Sequence, residues 1–189
     1  MSDLTWKKSK VGHIVQNEWI DFREAYYILP DGKEAGPYYQ YSRRSYSIII
    51  AKTKDDKFLC VKQYRHGINQ ITTEFPAGGI ETQGNEYDTI NAEEALECAK
   101  RELLEETGYQ SSKWEHLITV PSNATIADNY AYIFYAENCE KVSSLDLDDT
   151  EFLEVILLSF EEIEQLIQNN AFQQAMHIMA WEYLKNKRS

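Results

Sequence analysis

The apolar positions of this chain follow two rhythms. Up to Pro76 they come in runs of strand length: 19–22 and 25–29, then 36–41 beyond a Pro30-Asp31-Gly32-Lys33 turn, then 46–51, 58–61 and 71–75. Asp55-Asp56 turns the chain between 46–51 and 58–61, and Gln63 to Gly67 ends the latter run on polar residues. From residue 92 the spacing becomes helical. Ala92, Ala95, Leu96, Ala99 and Leu103 share one stripe at ~100° per residue, bracketed by Asn91 as an N-cap and Gly108 as a C-terminal stop. Strands return at 117–120, 130–136 and 152–158, separated by a loop at 121–129 and an acidic loop at 146–150. A second helix opens on the capping box Ser159-Phe160-Glu161-Glu162 and runs to about Gln168. A third carries Phe172, Ala175, Met176, Met179, Ala180, Tyr183 and Leu184 on its apolar face. There is no internal repeat. Strands then helix, twice over, predict a mixed α/β sandwich rather than a doubly wound sheet.

The first 45 residues or so stand apart. A sheet of two or three strands is marginal in water and has to pack on something. Its many aromatics serve as that packing surface, with Trp19 and the Tyr38–Tyr39 pair as the candidates for stacking on a purine.

Composition narrows the classes. A length of 189 residues suits one domain or a domain with a small appendage, and 43% hydrophobic residues is enough for a core. A formal charge of -12 argues against a nucleic-acid partner, which requires clustered Lys and Arg. A small anionic substrate remains open, because a bound cation inverts the local field. Cys60, Cys98 and Cys139 form neither a disulfide framework nor zinc spacing, and His13, His66, His116 and His177 show no ligand spacing. No run approaches transmembrane length, so the expectation is a cytoplasmic protein without a membrane partner.

The helix at 92–107 carries the chemistry. Glu102, Glu105 and Glu106 fall on one arc with no Lys or Arg sharing it. Like charges at this spacing cost roughly 0.2–0.5 kcal/mol per pair. Such a cluster is either a solvated acidic face or a set of ligands for a hard divalent cation. The surrounding letters favour the second. Arg101-Glu102-Leu103-Leu104-Glu105-Glu106-Thr107-Gly108-Tyr109 resembles the REUxEExGU half of the Nudix box, with every specified position filled. Glu93 stands where the first box glutamate belongs, but the glycine expected six residues earlier is Tyr87. The glycines are Gly78 and Gly79, which implies about eight extra residues around Thr82 to Asn91; another gap placement puts Asn85 or Glu86 in the first slot.

Further matches at Val61-Lys62-Gln63-Tyr64-Arg65, Glu74-Phe75-Pro76-Ala77-Gly78 and Thr150-Glu151-Phe152-Leu153-Glu154-Val155 make the chain similar to the ADP-ribose pyrophosphatase-like branch of the Nudix hydrolases. The resemblance implies an α/β/α sandwich with a mixed sheet at 46–189. It also implies a small N-terminal antiparallel β-sheet at 1–45, exchanged across a homodimer. The implied activity is Mg²⁺- or Mn²⁺-dependent cleavage of a nucleoside diphosphate linked to a sugar, with ADP-ribose giving AMP and ribose 5-phosphate. The alternatives are a GDP-mannose or other nucleotide-sugar pyrophosphatase, or a Nudix module that binds without turnover. By position, the metal ligands would be Glu102, Glu105, Glu106 and the carbonyl of Ala77. The catalytic set would be Glu151, Glu105 and Arg101, with Asp149 as the other choice of base. Substrate contacts would come from Arg65, Trp19, Tyr39 and Glu74; for Arg65, a structural pair with Glu74 weighs equally.

Overall fold

The computed structural model describes residues 3–81, 90–147 and 151–188. The proposed insertion around Thr82 to Asn91 and the Asp149 alternative lie almost wholly outside them. The N-terminal strands β1 (Lys7–Gln16), β2 (Asp21–Ile28) and β3 (Glu34–Ser42) form an antiparallel meander in that order. β1 has no apolar rhythm and is exposed along nearly its whole length, so its place is fixed by backbone pairing from Lys7↔Ile28 to Gln16↔Asp21. Trp19 and Ile20, expected to open a strand, instead lie in a bend. The Asn17 side-chain oxygen accepts both of their backbone N–H groups, an Asx turn that outcompetes extension.

The second sheet comprises β4 (Tyr46–Thr53), β5 (Phe58–Arg65), β6 (Gln70–Glu74), β7 (Ala77–Gly79), β8 (Tyr109–Gln110), β9 (Lys113–Pro121), β10 (Tyr130–Lys141) and β11 (Leu153–Leu158). Its spine runs β11-β5-β4-β10-β8, with β6 beside β5, β7 beside β4 and β9 beside β10. β4 and β10 run parallel while the other pairs are antiparallel, so the sheet is mixed.

Strand alternation feeds two cores. Ile48, Ile50, Phe58 and Cys60 point to a layer with α2 (Phe160–Gln168) and α3 (Ala175–Arg188), through Ile163, Ala180, Trp181 and Leu184. Ile49, Ala51 and Leu59 point the other way, onto Ala95, Ala99 and Leu103 of α1 (Ala92–Thr107). This is the α/β/α sandwich expected. Phe172 precedes α3 rather than belonging to it, yet it is buried in the same core. Ala92 lies exposed in the first turn of α1, outside the buried stripe. Among the described residues no helix is long and apolar enough to cross a membrane.

The N-terminal sheet meets the body at the β9–β10 loop. Tyr41 N–H donates to the Ile126 carbonyl at 2.9 Å. Beside it Asp128 accepts from Arg23 at 2.6 Å and from the Ser42 hydroxyl at 2.5 Å, while Arg23 also holds Asp21 at 3.0 Å.

Candidate active site

The site is built where α1 crosses β7. Asn91 caps α1 by accepting from Glu93 N and Glu94 N in a full capping box, and Gly108 ends it at φ 74 in the left-handed region. Packing of the Ala95–Ala99–Leu103 stripe on the sheet sets the rotation of the helix. That rotation turns Glu102 and Glu106 inward with Ala95, Ala99 and Leu103. A solvated acidic face is therefore excluded for these two: they are 8% and 4% exposed.

β7 receives them. It is registered on β4 through Ile48↔Ala77 and Ser47↔Gly78, and the Ser47 hydroxyl ties the same strand to α1 at the Ala95 carbonyl, 2.8 Å away. The Ala77 N–H donates to Glu106 Oε2 at 3.1 Å. At Gly78 a Cβ would fall 1.9 Å from Glu102 Cδ, so only glycine lets that carboxylate lie against the strand.

The arc does have a basic neighbour. Arg101 donates to Glu102 Oε1 at 2.8 Å and to Glu105 Oε2 at 2.9 Å, so the expectation of an arc without a counter-charge is corrected. A long guanidinium side chain starting one residue off the arc still reaches it. This is not enough to neutralise the buried acids. Burial pushes Glu102 up to about 7; Arg101 opposes the shift while Glu105 and Glu151 add to it. Burial and then the Glu102 charge push Glu106 up to about 8, against the Ala77 N–H and Arg65. The Glu151 charge bears on both carboxyls and the Arg65 charge on Glu106.

Two buried carboxylates beside the β7 backbone are donors that fit a hard divalent cation. Among the described residues no three His, Cys, Asp or Glu side chains converge as a closed ligand set.

Arg65 and Glu74 are paired, Nε to Oε1 at 2.7 Å. Glu74 is 0% exposed, so the expected contact of Glu74 itself with substrate is corrected: its partner is Arg65. Burial of an unpaired carboxylate would cost several kcal/mol, which the guanidinium offsets.

Trp19 and Tyr39 are surface aromatics of the N-terminal sheet. Trp19 lies over the Arg44 guanidinium, 5.8 Å from ring centroid to carbon, and Tyr39 stacks on Phe22 at 5.9 Å. No hydrogen bond or ring contact among the described residues joins them to the α1 carboxylates. Arg44 escaped the sequence reading; the one available signal was the basic Arg43-Arg44 pair ahead of a buried strand. His177 is structural: fully buried, it accepts the Phe75 N–H at 3.1 Å and lies parallel to the Phe75 ring.

The site thus lies where one helical layer of an α/β/α sandwich sets two buried carboxylates against a glycine-bearing strand. The NUDIX domain model matches residues 41–179, and the chain belongs to the Nudix family, as a Nudix hydrolase. It is 30% identical over 140 residues to an ADP-ribose pyrophosphatase of Bacillus subtilis (strain 168), covering 74% of this chain and 71% of that protein. It is also 30% identical over 138 residues to a methanol dehydrogenase activator of Bacillus methanolicus, covering 72% and 70%. The crystal structure of an ADP compounds hydrolase superposes with a TM-score of 0.79 over 98% of this chain and 96% of that one, at 18% identity, which speaks for the fold. The likeness to the ADP-ribose pyrophosphatase-like branch expected from the motifs is met.

Proposed function

We propose that this protein hydrolyses the pyrophosphate bond of a nucleoside diphosphate sugar, with ADP-ribose giving AMP and ribose 5-phosphate. The observation that carries this reading is the charge-starved pair Glu102–Glu106 pressed against Ala77 and Gly78, with Arg65 facing the same cleft. A diphosphate repels hydroxide, so its oxygens must be neutralised before water can attack phosphorus. Glu102, Glu106 and the Ala77 carbonyl would hold a Mg²⁺ or Mn²⁺ ion, which would supply that neutralising charge and acidify the attacking water.

The chain's own groups do the rest. Arg101 steadies Glu102 and Glu105 between turnovers, and Glu105 assists the ion directly or through water. Glu151 takes the proton from the attacking water. Arg65 binds the diphosphate. Trp19 and Tyr39 lie on the N-terminal sheet, and we assign them to the base of a substrate bound at the partner's site in a homodimer. The three free, buried cysteines suit a reducing, cytoplasmic setting.

The test is product analysis with ADP-ribose and GDP-mannose in Mg²⁺ or Mn²⁺. AMP and ribose 5-phosphate from ADP-ribose is the expected result; preferential turnover of GDP-mannose moves the substrate to the alternative. Binding without product would make the protein a nucleotide-binding module. Sedimentation showing a monodisperse monomer would remove the shared site.

A further inference from the structure

Of the side chains expected at the substrate, Glu74 is the one solvent cannot reach. Its Oε1 accepts the Arg65 Nε–H at 2.7 Å and the Thr72 hydroxyl at 3.4 Å, while Oε2 has no hydrogen-bond partner among the described residues. The pairing is diagonal. Val61 registers with Glu74 and Arg65 with Gln70, so the two side chains meet across the Gln63↔Thr72 pair. Alternation from Leu59 puts Val61, Gln63 and Arg65 on the α1 side of the sheet, the side of the cleft.

How the guanidinium is held matters more than that it is held. Arginine carries five N–H donors, and contact through Nε occupies one of them. An end-on pair through both Nη groups would consume the fork that matches phosphate oxygens. Here the carboxylate takes the guanidinium from its side, on an Arg65 side chain that is 36% exposed while Glu74 is 0% exposed. The buried partner is fixed, and among the described residues no hydrogen bond takes the Nη end of the guanidinium.

We propose that Glu74 is a positioning residue: its buried carboxylate grips Arg65 by Nε so that Nη1 and Nη2 are presented as a preset fork to the substrate diphosphate. This rests on the hydrolase reading above and deepens it. A lone arginine must freeze its side chain on binding, whereas one already held loses less freedom when the phosphate arrives. The effect therefore belongs to binding rather than to the chemical step.

The experiment measures KM and kcat for ADP-ribose with Mg²⁺ in Arg65→Ala, Arg65→Lys, Glu74→Ala, Glu74→Gln and the Glu74→Ala/Arg65→Ala double variant, with the melting temperature of each. Arg65→Ala and Glu74→Ala should each raise KM by at least about tenfold, with a smaller change in kcat. The double variant should be no worse than Arg65→Ala, since both changes remove one device. Glu74→Gln keeps an oxygen for Nε and should recover most of the loss, in an order that melting temperature does not follow. Should Glu74→Ala fail to fold, Arg65→Lys carries the test: it keeps the charge without the Nε grip or the fork, and its KM must rise similarly. Raised KM in Arg65→Ala beside unchanged KM in Glu74→Ala sinks the positioning role alone. Additive losses in the double variant sink it too. Unchanged KM in Arg65→Ala removes Arg65 from the substrate, and no turnover of any nucleoside diphosphate sugar by the wild type overturns the underlying reading as well.

Discussion

The N-terminal sheet and the sandwich behind it solve the same problem in opposite ways. In the sandwich both faces of the large sheet are covered by helices, and Ile48, Ile49, Ile50, Ala51 and Leu59 are all 0% exposed. In the N-terminal sheet Trp6, Val11, Ile14, Val15, Trp19, Tyr38 and Tyr39 remain exposed. What seats the sheet is polar: Arg23, Asp21, Ser42 and Asp128, beside a single backbone bridge from Tyr41 to Ala127. An element carrying large apolar groups on a polar seat is built to find further cover elsewhere, and the homodimer proposed above would provide it. On the proposed reading the sandwich would hold the catalytic groups still, and the small sheet would be shared.

The largest effect expected from breaking this division lies in the sandwich. Glu106→Gln should cut turnover on the order of 10³-fold, equivalent to about 4 kcal/mol of transition-state stabilisation. It should leave the fold intact, and even steadier without metal, because it removes a charge that burial disfavours. Steady-state kinetics at saturating Mg²⁺, read against the melting curve, checks this. Full activity in the variant would unseat the carboxylate assignment.

A smaller and differently placed effect follows from Asp128→Asn. Asp128 is part-exposed, so the loss is about 1–2 kcal/mol rather than the cost of breaking a fully buried pair. It should fall on the seat alone: hydrogen exchange should speed up across residues 7–42 and stay unchanged in β4, β5 and α1. A uniform change over the whole chain would mean that the two regions fold as one unit after all.

The same contrast decides what could be read from sequence. α1 was legible to the residue, because its cap, its stop and its periodicity are local signals between Asn91 and Gly108. The short β7 and β8 were not: three and two residues gain strand form only from partners on β4 and β10, far away in sequence. β1 was hidden because an exposed, basic edge strand buries no face to leave a pattern. At the site, spacing revealed the three glutamates but not their inequality. Which acids go inward depends on the rotation of α1 against Gly78, and the burial of Glu74 depends on register with β5. Arg65 was left open between substrate and Glu74; the side-on grip shows that the pair is made, and the substrate role remains the proposal.

The subtlest expected effect is on the pH dependence of stability, where the sandwich carries two opposed devices. Glu102 and Glu106 have their carboxyls raised by burial, to about 7 and about 8. The stability this represents is complete below the ordinary carboxyl range and is lost as pH rises through those values. His177 is depressed by burial to about 3, so its contribution is complete above its ordinary value of 6.5 and is lost as pH falls towards 3. The metal-free protein should therefore melt highest between these limbs, and its melting temperature should drop by about 2–5 °C on the alkaline side by pH 9. If Mg²⁺ takes the ionised carboxylates as proposed, its stabilising shift should be larger at pH 8.5 than at pH 5.5. Glu106→Gln should shrink the alkaline limb to what Glu102 contributes and leave the acid limb in place. Melting curves in EDTA and in Mg²⁺ across this range decide the matter: an equal Mg²⁺ shift at both pH values, or an alkaline limb undiminished by Glu106→Gln, would show that the buried carboxylates are not where the ion and the proton compete.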